Sequence, residues 1–210
     1  MPTRTFYLDK QSTEPIIIHH GFNWKNLTIT KDGELIGEVE NIKVLQEGRT
    51  FPILDNRTIS IKLIRKFGII QELEILLNGI PIPGSGTEPN HQVKQVYQLL
   101  LFIAAFNAIL GLAAEIGNIE FLKSLGLGYG TIAIGILNVA LAYLVKFRLS
   151  LIALYIAFGL MMADIILTLF FAAEMGGSPV SGLMMKAIFA FVLFNGIPAL
   201  KKVRSEALAN

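Results

Sequence analysis

The sequence predicts an α+β multidomain chain: an N-terminal antiparallel β-sandwich followed by a four-helix transmembrane bundle. Three observations predict it. The 210 residues are 53% hydrophobic and only 16% charged, against roughly 25% charged in an ordinary soluble domain. The charges are unevenly placed. Residues 1–94 hold 11 Lys and Arg with 11 Asp and Glu, whereas residues 95–210 hold 7 and 5. The hydropathy pattern changes with them, from short alternating runs to long unbroken apolar stretches.

The first half reads as strands. Ile16 to Ile18 form an extended run. Leu27 to Thr30 alternate apolar and polar residues and meet Asp32-Gly33, a strong hairpin signal. Leu35 to Val39, Ile42 to Leu45 and Phe51 to Leu54 continue the series, with the turn-like Asp55-Asn56 after it. Thr58 to Leu63 alternate cleanly, and Ile69 to Leu77 close on Asn78-Gly79. Seven or eight short strands separated by turn residues are the pattern of a sandwich or barrel. No helical period is sustained there over the ~10 residues a helix needs.

The runs Leu27-Thr28-Ile29-Thr30-Lys31-Asp32-Gly33, Thr58-Ile59-Ser60-Ile61 and Glu72 to Gly79 resemble one repeat of the Fas apoptotic inhibitory molecule family. The resemblance covers about residues 24–80, roughly a quarter of the chain. It implies a small, non-catalytic β-sandwich. That family is not membrane-embedded as far as the resemblance reaches, so the helical half departs from it.

The sequence places the β-domain at residues 1–80 and a Pro/Gly linker at 81–92, with Pro81, Pro83 and Pro89 opposing regular structure. A transmembrane domain follows over 93–202, with spans at about 95–117, 125–146, 148–173 and 180–200, and a tail at 203–210. Val96 to Ala114 and Leu125 to Val145 carry no charge. Leu149 to Ala173 carries Asp164 and one stretch from Val180 to Leu200 carries Lys186. Each stretch meets the ~20 residues that cross a ~30 Å hydrocarbon core. In lipid the backbone must satisfy its own hydrogen bonds, so the spans are helices.

Four spans put both termini on one side. Lys94, Lys146, Arg148, Lys201, Lys202 and Arg204 flank that side, and only Lys123 flanks the other. Positive-inside counting therefore predicts an inner- or plasma-membrane protein with cytosolic N- and C-termini. The N-terminal residues lack a secretory apolar run, in keeping with that orientation. The sequons at Asn26 and Asn56 are then chance matches, since glycosylation needs a secretory lumen. Phe121 and Leu122, in the loop Gly117 to Gly126, are placed at the interface. Gly126 and Gly130 have the GxxxG spacing of close helix approach, within the chain or between copies in a homo-oligomer.

The net charge of +2 is too small to argue for a nucleic-acid partner. The absence of cysteine excludes disulfides, thiolate nucleophiles and Cys-ligated metals. There is no phosphate-binding glycine loop, HExxH motif or nucleophile elbow. His19, His20 and His91 do not have metal-ligand spacing, and Trp24 reads as β-domain core. Neither an enzyme nor a cofactor or metal is predicted.

Polar residues within the spans carry what chemistry there is. Asn107, Asn138 and Asp164 lie roughly 13–17 Å deep on three helices, near the midplane. Asn107, Gly111 and Glu115 share one helical face. Thr131, Gly135, Asn138 and Ala142 share another, and Ala153, Ala157, Asp164 and Thr168 a third. These stripes are expected to face the bundle interior. Lys186 is close enough in depth to pair with Asp164 or to snorkel. Asn195, about 180° round from Lys186 and followed by Gly196 and Pro198, is expected at a fraying helix end. Two roles fit the five candidates Asn107, Glu115, Asn138, Asp164 and Lys186: interhelical packing, or an ion or proton pathway through Asp164 and Glu115. The corresponding functions are a non-enzymatic membrane-anchored binding or scaffold protein, whose β-domain meets a protein partner or the lipid bilayer, and a small transporter or channel subunit.

Overall fold

Period-two sequence becomes strand, and eight strands form among the described residues. The computed structural model describes residues 2–9, 11–53, 56–66, 70–124, 126–175 and 180–209. The chain divides into two units, Met1–His91 and Gln92–Asn210.

In the first unit, β1 (Thr3–Tyr7), β2 (Pro15–His19), β3 (Leu27–Lys31) and β4 (Glu34–Val39) form one antiparallel sheet in chain order. The second sheet holds β5 (Arg49–Ile53), β6 (Arg57–Lys66), β7 (Ile70–Leu77) and β8 (Ile80–Pro81), again in order. The Asp32-Gly33 hairpin is present, with both residues at positive φ (54° and 84°) as a two-residue primed turn requires. Asn78-Gly79 turns the same way between β7 and β8. Leu54, Asp55 and Ile69 lie outside the described residues.

Alternate residues of both sheets point into one core. Ile16, Ile18 and Ile29 from the first sheet and Ile59, Ile61 and Ile75 from the second are fully buried. Trp24 joins them. Glu14 ties the sheets at the surface, with one carboxylate oxygen 3.3 Å from Lys31 Nζ and 3.0 Å from Arg57 Nη1.

Two expectations change in this unit. Ile42 to Leu45 is not strand but part of helix α1 (Ile42–Glu47). Asn41 caps it by accepting from Lys43 N at 3.0 Å, and Gly48 ends it at φ 96°. A helix of six residues is too short to show a period. The Pro/Gly segment is not a plain linker either. Pro81 pairs with Leu76, Gly86 N donates to Leu73 O at 2.8 Å, and the buried Ser85 hydroxyl accepts from Ile75 N at 2.9 Å. Pro89 then opens α2 (Pro89–Glu115), a position where its missing N–H costs nothing.

The second unit holds the rest of α2, then α3 (Glu120–Ser124), α4 (Tyr129–Arg148), α5 (Leu151–Met175) and α6 (Val180–Ala209). α2, α4, α5 and α6 are long and apolar enough to cross a membrane. Only 22–33% of each spanning window is buried within the bundle. The remainder exposes residues such as Phe106, Ile136, Ile166 and Phe170. Soluble proteins rarely show apolar surface on this scale, so lipid is the solvent this unit suits. Phe121 is exposed on α3.

The α4–α5 turn is made by two residues. Leu149 takes the left-handed conformation, φ 47°, and Ser150 N donates to Leu144 O at 3.1 Å. The Ser150 hydroxyl then accepts from Ala153 N at 3.3 Å, capping α5.

Candidate functional site

Small residues bring α2 and α4 together. A side chain on Gly135 would meet Ala104 O at 3.0 Å, and one on Gly111 would meet Gly128 O at 2.9 Å. The GxxxG pair does not do this work: Gly126 and Gly130 have nothing within 4 Å of an added Cβ. Gly126 instead supplies a positive φ of 77° before α4. The expected α4 stripe holds, since Thr131, Gly135, Asn138 and Ala142 are all buried.

With α2 and α4 this close, Asn107 and Asn138 face a cavity of about 300 Å³ that Asp164 lines from α5. The three residues are thus brought together, among mostly apolar neighbours such as Leu137, Leu160 and Leu167. Each asparagine is anchored to its own helix. Asn107 Nδ2 donates to Ile103 O at 2.9 Å, and Asn138 Nδ2 donates to Ile134 O at 2.9 Å.

Lys186 pairs with Asp164. Its Nζ lies 2.8 Å from Asp164 Oδ2 and donates to Thr168 Oγ1 at 2.6 Å. Thr168 in turn donates to the Asp164 carbonyl at 2.7 Å. The group therefore staples α5 to α6 across one turn. Asp164 does not face fully inward: its side chain keeps 54% of its exposure and Lys186 keeps 28%. Ala153 and Ala157, on the same stripe, are buried.

Glu115 is elsewhere. It is half-buried, with its carboxylate against Gly128 at the start of α4. It lies eight residues beyond Asn107, about 12 Å along α2, and does not line the cavity. Asn195 does not mark a helix end. α6 continues through Pro198 to Ala209, and Gly196 packs against Val96 of α2. Proline removes one hydrogen bond and can bend a helix without ending it. What the sequence did not reveal is the pair of asparagine-to-backbone bonds; the signal was any Asn inside a helix, which can reach the carbonyl four residues back.

In the first unit, His19 and His20 part as expected of neighbours on an extended chain. His19 Nδ1 lies 2.9 Å from the Thr3 hydroxyl, while His20 is buried and stacked on Trp24 at 4.2 Å. Among the described residues, no three His, Asp or Glu side chains form a metal-binding group.

An N-terminal β domain followed by four membrane-length helices, with a cavity among them that Asn107, Asn138 and Asp164 line, defines a class of architecture. No family model, no curated protein and no solved structure matches this chain.

Proposed function

We propose that the protein is a non-enzymatic, membrane-anchored binding or scaffold module. The helices hold it in the bilayer, and the eight-stranded unit presents the binding surface in the cytosol. The division into two units, each with its own hydrophobic core, supports this reading. A self-sufficient β core gains nothing from lipid, so its attachment to four spans acts as a tether. The resemblance to a non-catalytic sandwich family points the same way. The charged pair inside the spans is also satisfied by its own members and Thr168, as a structural staple would be.

The test is co-purification in mild detergent. A stoichiometric partner retained by the full chain and lost when residues 1–80 are deleted supports the proposal. Equal recovery with and without those residues sinks it. Orientation is tested separately, since the chain has no native cysteine to give background. In sealed vesicles, Ser205→Cys should react with an impermeant maleimide from the cytosolic face and Gly117→Cys from the opposite one.

The cavity favours a second reading, a small transporter or channel subunit. Asn107, Asn138 and Asp164 on one cavity are the observation for it. Ion- or pH-dependent flux in proteoliposomes, lost in Asp164→Asn, supports it. Flux unchanged by that substitution counts against it.

A further inference from the structure

The cavity between the helices presents side-chain acceptor oxygens from three helices. A backbone carbonyl accepts only donors, so Ile103 O and Ile134 O fix the amide nitrogens of Asn107 and Asn138 toward their own helices. That leaves both Oδ1 atoms as acceptors. Among the described residues, none donates to either, or to Asp164 Oδ1. Lys186 donates to Asp164 Oδ2 and to Thr168, Thr168 donates to the Asp164 carbonyl, and each asparagine keeps one further amide N–H, so a hydroxyl, which both donates and accepts, matches the group. Asn138 is 7% exposed, yet its Oδ1 is not a buried orphan and opens onto the cavity.

Charge and size narrow the occupant. Lys186 already balances Asp164, so a cationic ligand would add an uncompensated charge at membrane depth. A neutral donor adds none. A volume of about 300 Å³ is twice the ~150 Å³ in which a dry apolar cavity holds benzene. The remaining lining is largely aliphatic and suits an apolar body.

We infer that this cavity binds a neutral lipophilic alcohol or phenol, its hydroxyl donating to the acceptor oxygens of Asn107, Asn138 or Asp164 and its apolar body packing against Leu137, Leu160 and Leu167. The inference is independent of the scaffold proposal, which concerns the β unit.

The experiment uses the full chain in phosphatidylcholine nanodiscs. The probe is a diazirine-bearing octanol, cross-linked by light and mapped by peptide mass spectrometry. Saturable labelling of α4 and α5 peptides that line the cavity is expected. 1-Naphthol should compete about tenfold better than naphthalene, the value of roughly one hydrogen bond. Asn138→Leu should lower the saturable labelling about tenfold. Ala163→Phe should abolish it by filling the space from a cavity-lining position that is not part of the buried core. It decides the matter should Asn138→Leu fail to fold. The inference is overturned if labelling is unsaturable and spread over outward residues such as Phe106 and Ile166. It is overturned equally if naphthalene competes as well as 1-naphthol, or if Ala163→Phe labels like the parent. Water alone in the cavity would give the first of these results.

Discussion

The two ends of the helical unit are built differently. At the end that carries the α4–α5 turn, all four spans share one apolar core. Val96 and Leu100 from α2, Val145 from α4, Leu154 from α5, and Leu193 and Leu200 from α6 belong to it. Toward the other end, α2 and α4 stay together through Gly111 and Gly135, while α5 and α6 are joined by Asp164, Thr168 and Lys186. The cavity lies where these two modes meet. In lipid there is no hydrophobic drive to press helices together, so close packing and polar bonds decide where they touch. Apolar packing is concentrated at one end and polar chemistry toward the other.

The sharpest way to break this contrast is to perturb two glycines of one helix. A side chain at Gly196 collides with Val96, whose branched side chain has little freedom to retreat. A side chain at Gly182 meets nothing within 4 Å. Gly196→Leu should cost about 3 kcal/mol, the upper range of overpacking, and Gly182→Leu should cost nothing or stabilise slightly through helix propensity. Reversible unfolding by sodium dodecyl sulfate in mixed micelles measures both. Equal losses at the two positions would remove the contrast.

The next effect concerns the polar end. Asp164→Leu leaves Lys186 in the spans without its partner, and should cost about 2 kcal/mol in the same titration. Adding Lys186→Leu should return the protein to within about 1 kcal/mol of the parent, because two apolar residues replace two charges. A double variant no better than the single one would mean that the pair does not act as a unit. Ser150→Ala at the turn removes the cap of α5 and should cost about 1 kcal/mol.

Residue patterns showed most of this, and their limits are physical. The α4 stripe from Thr131 to Ala142 was legible because small and polar residues recur at helical spacing. That Asn107, Asn138 and Asp164 could meet was legible because rise per residue is fixed, and they do line one cavity. Azimuth is less certain: Ala157 and Asp164 share a stripe, yet Ala157 is buried and Asp164 half-exposed. The stripe gives a direction but not the neighbour met there, which for Asp164 is α6. Glu115 shared a face with Asn107 but joined a different contact, because 12 Å of helix separates them. The six residues of α1 could not display a period, and the ordering of Ser85 depends on a strand ten residues earlier in sequence.

The smallest expected effect lies in the first unit and tests how its two sheets are held. Glu14 accepts from Arg57 and Lys31, and the Arg57 hydrogen bond, then that of Lys31, holds its carboxyl below the ordinary glutamate range. Asp9 is lowered as well, mainly by the backbone N–H of Glu14. A carboxylate whose folded pKa is depressed stabilises the fold above its unfolded pKa and loses that contribution as pH falls through the folded one. The loss should therefore begin below about pH 4.3 and continue downward. Because these groups are at the surface, the change is small beside loss of core packing, and salt should weaken it. Thermal melts followed by strand circular dichroism between pH 7 and pH 3 measure it. Glu14→Gln should lower the melting temperature slightly at pH 7 and flatten the acid slope, leaving the share due to Asp9. An acid slope identical in parent and variant would show that the Glu14 cluster does not tie the sheets, and that the shared isoleucine core alone holds them.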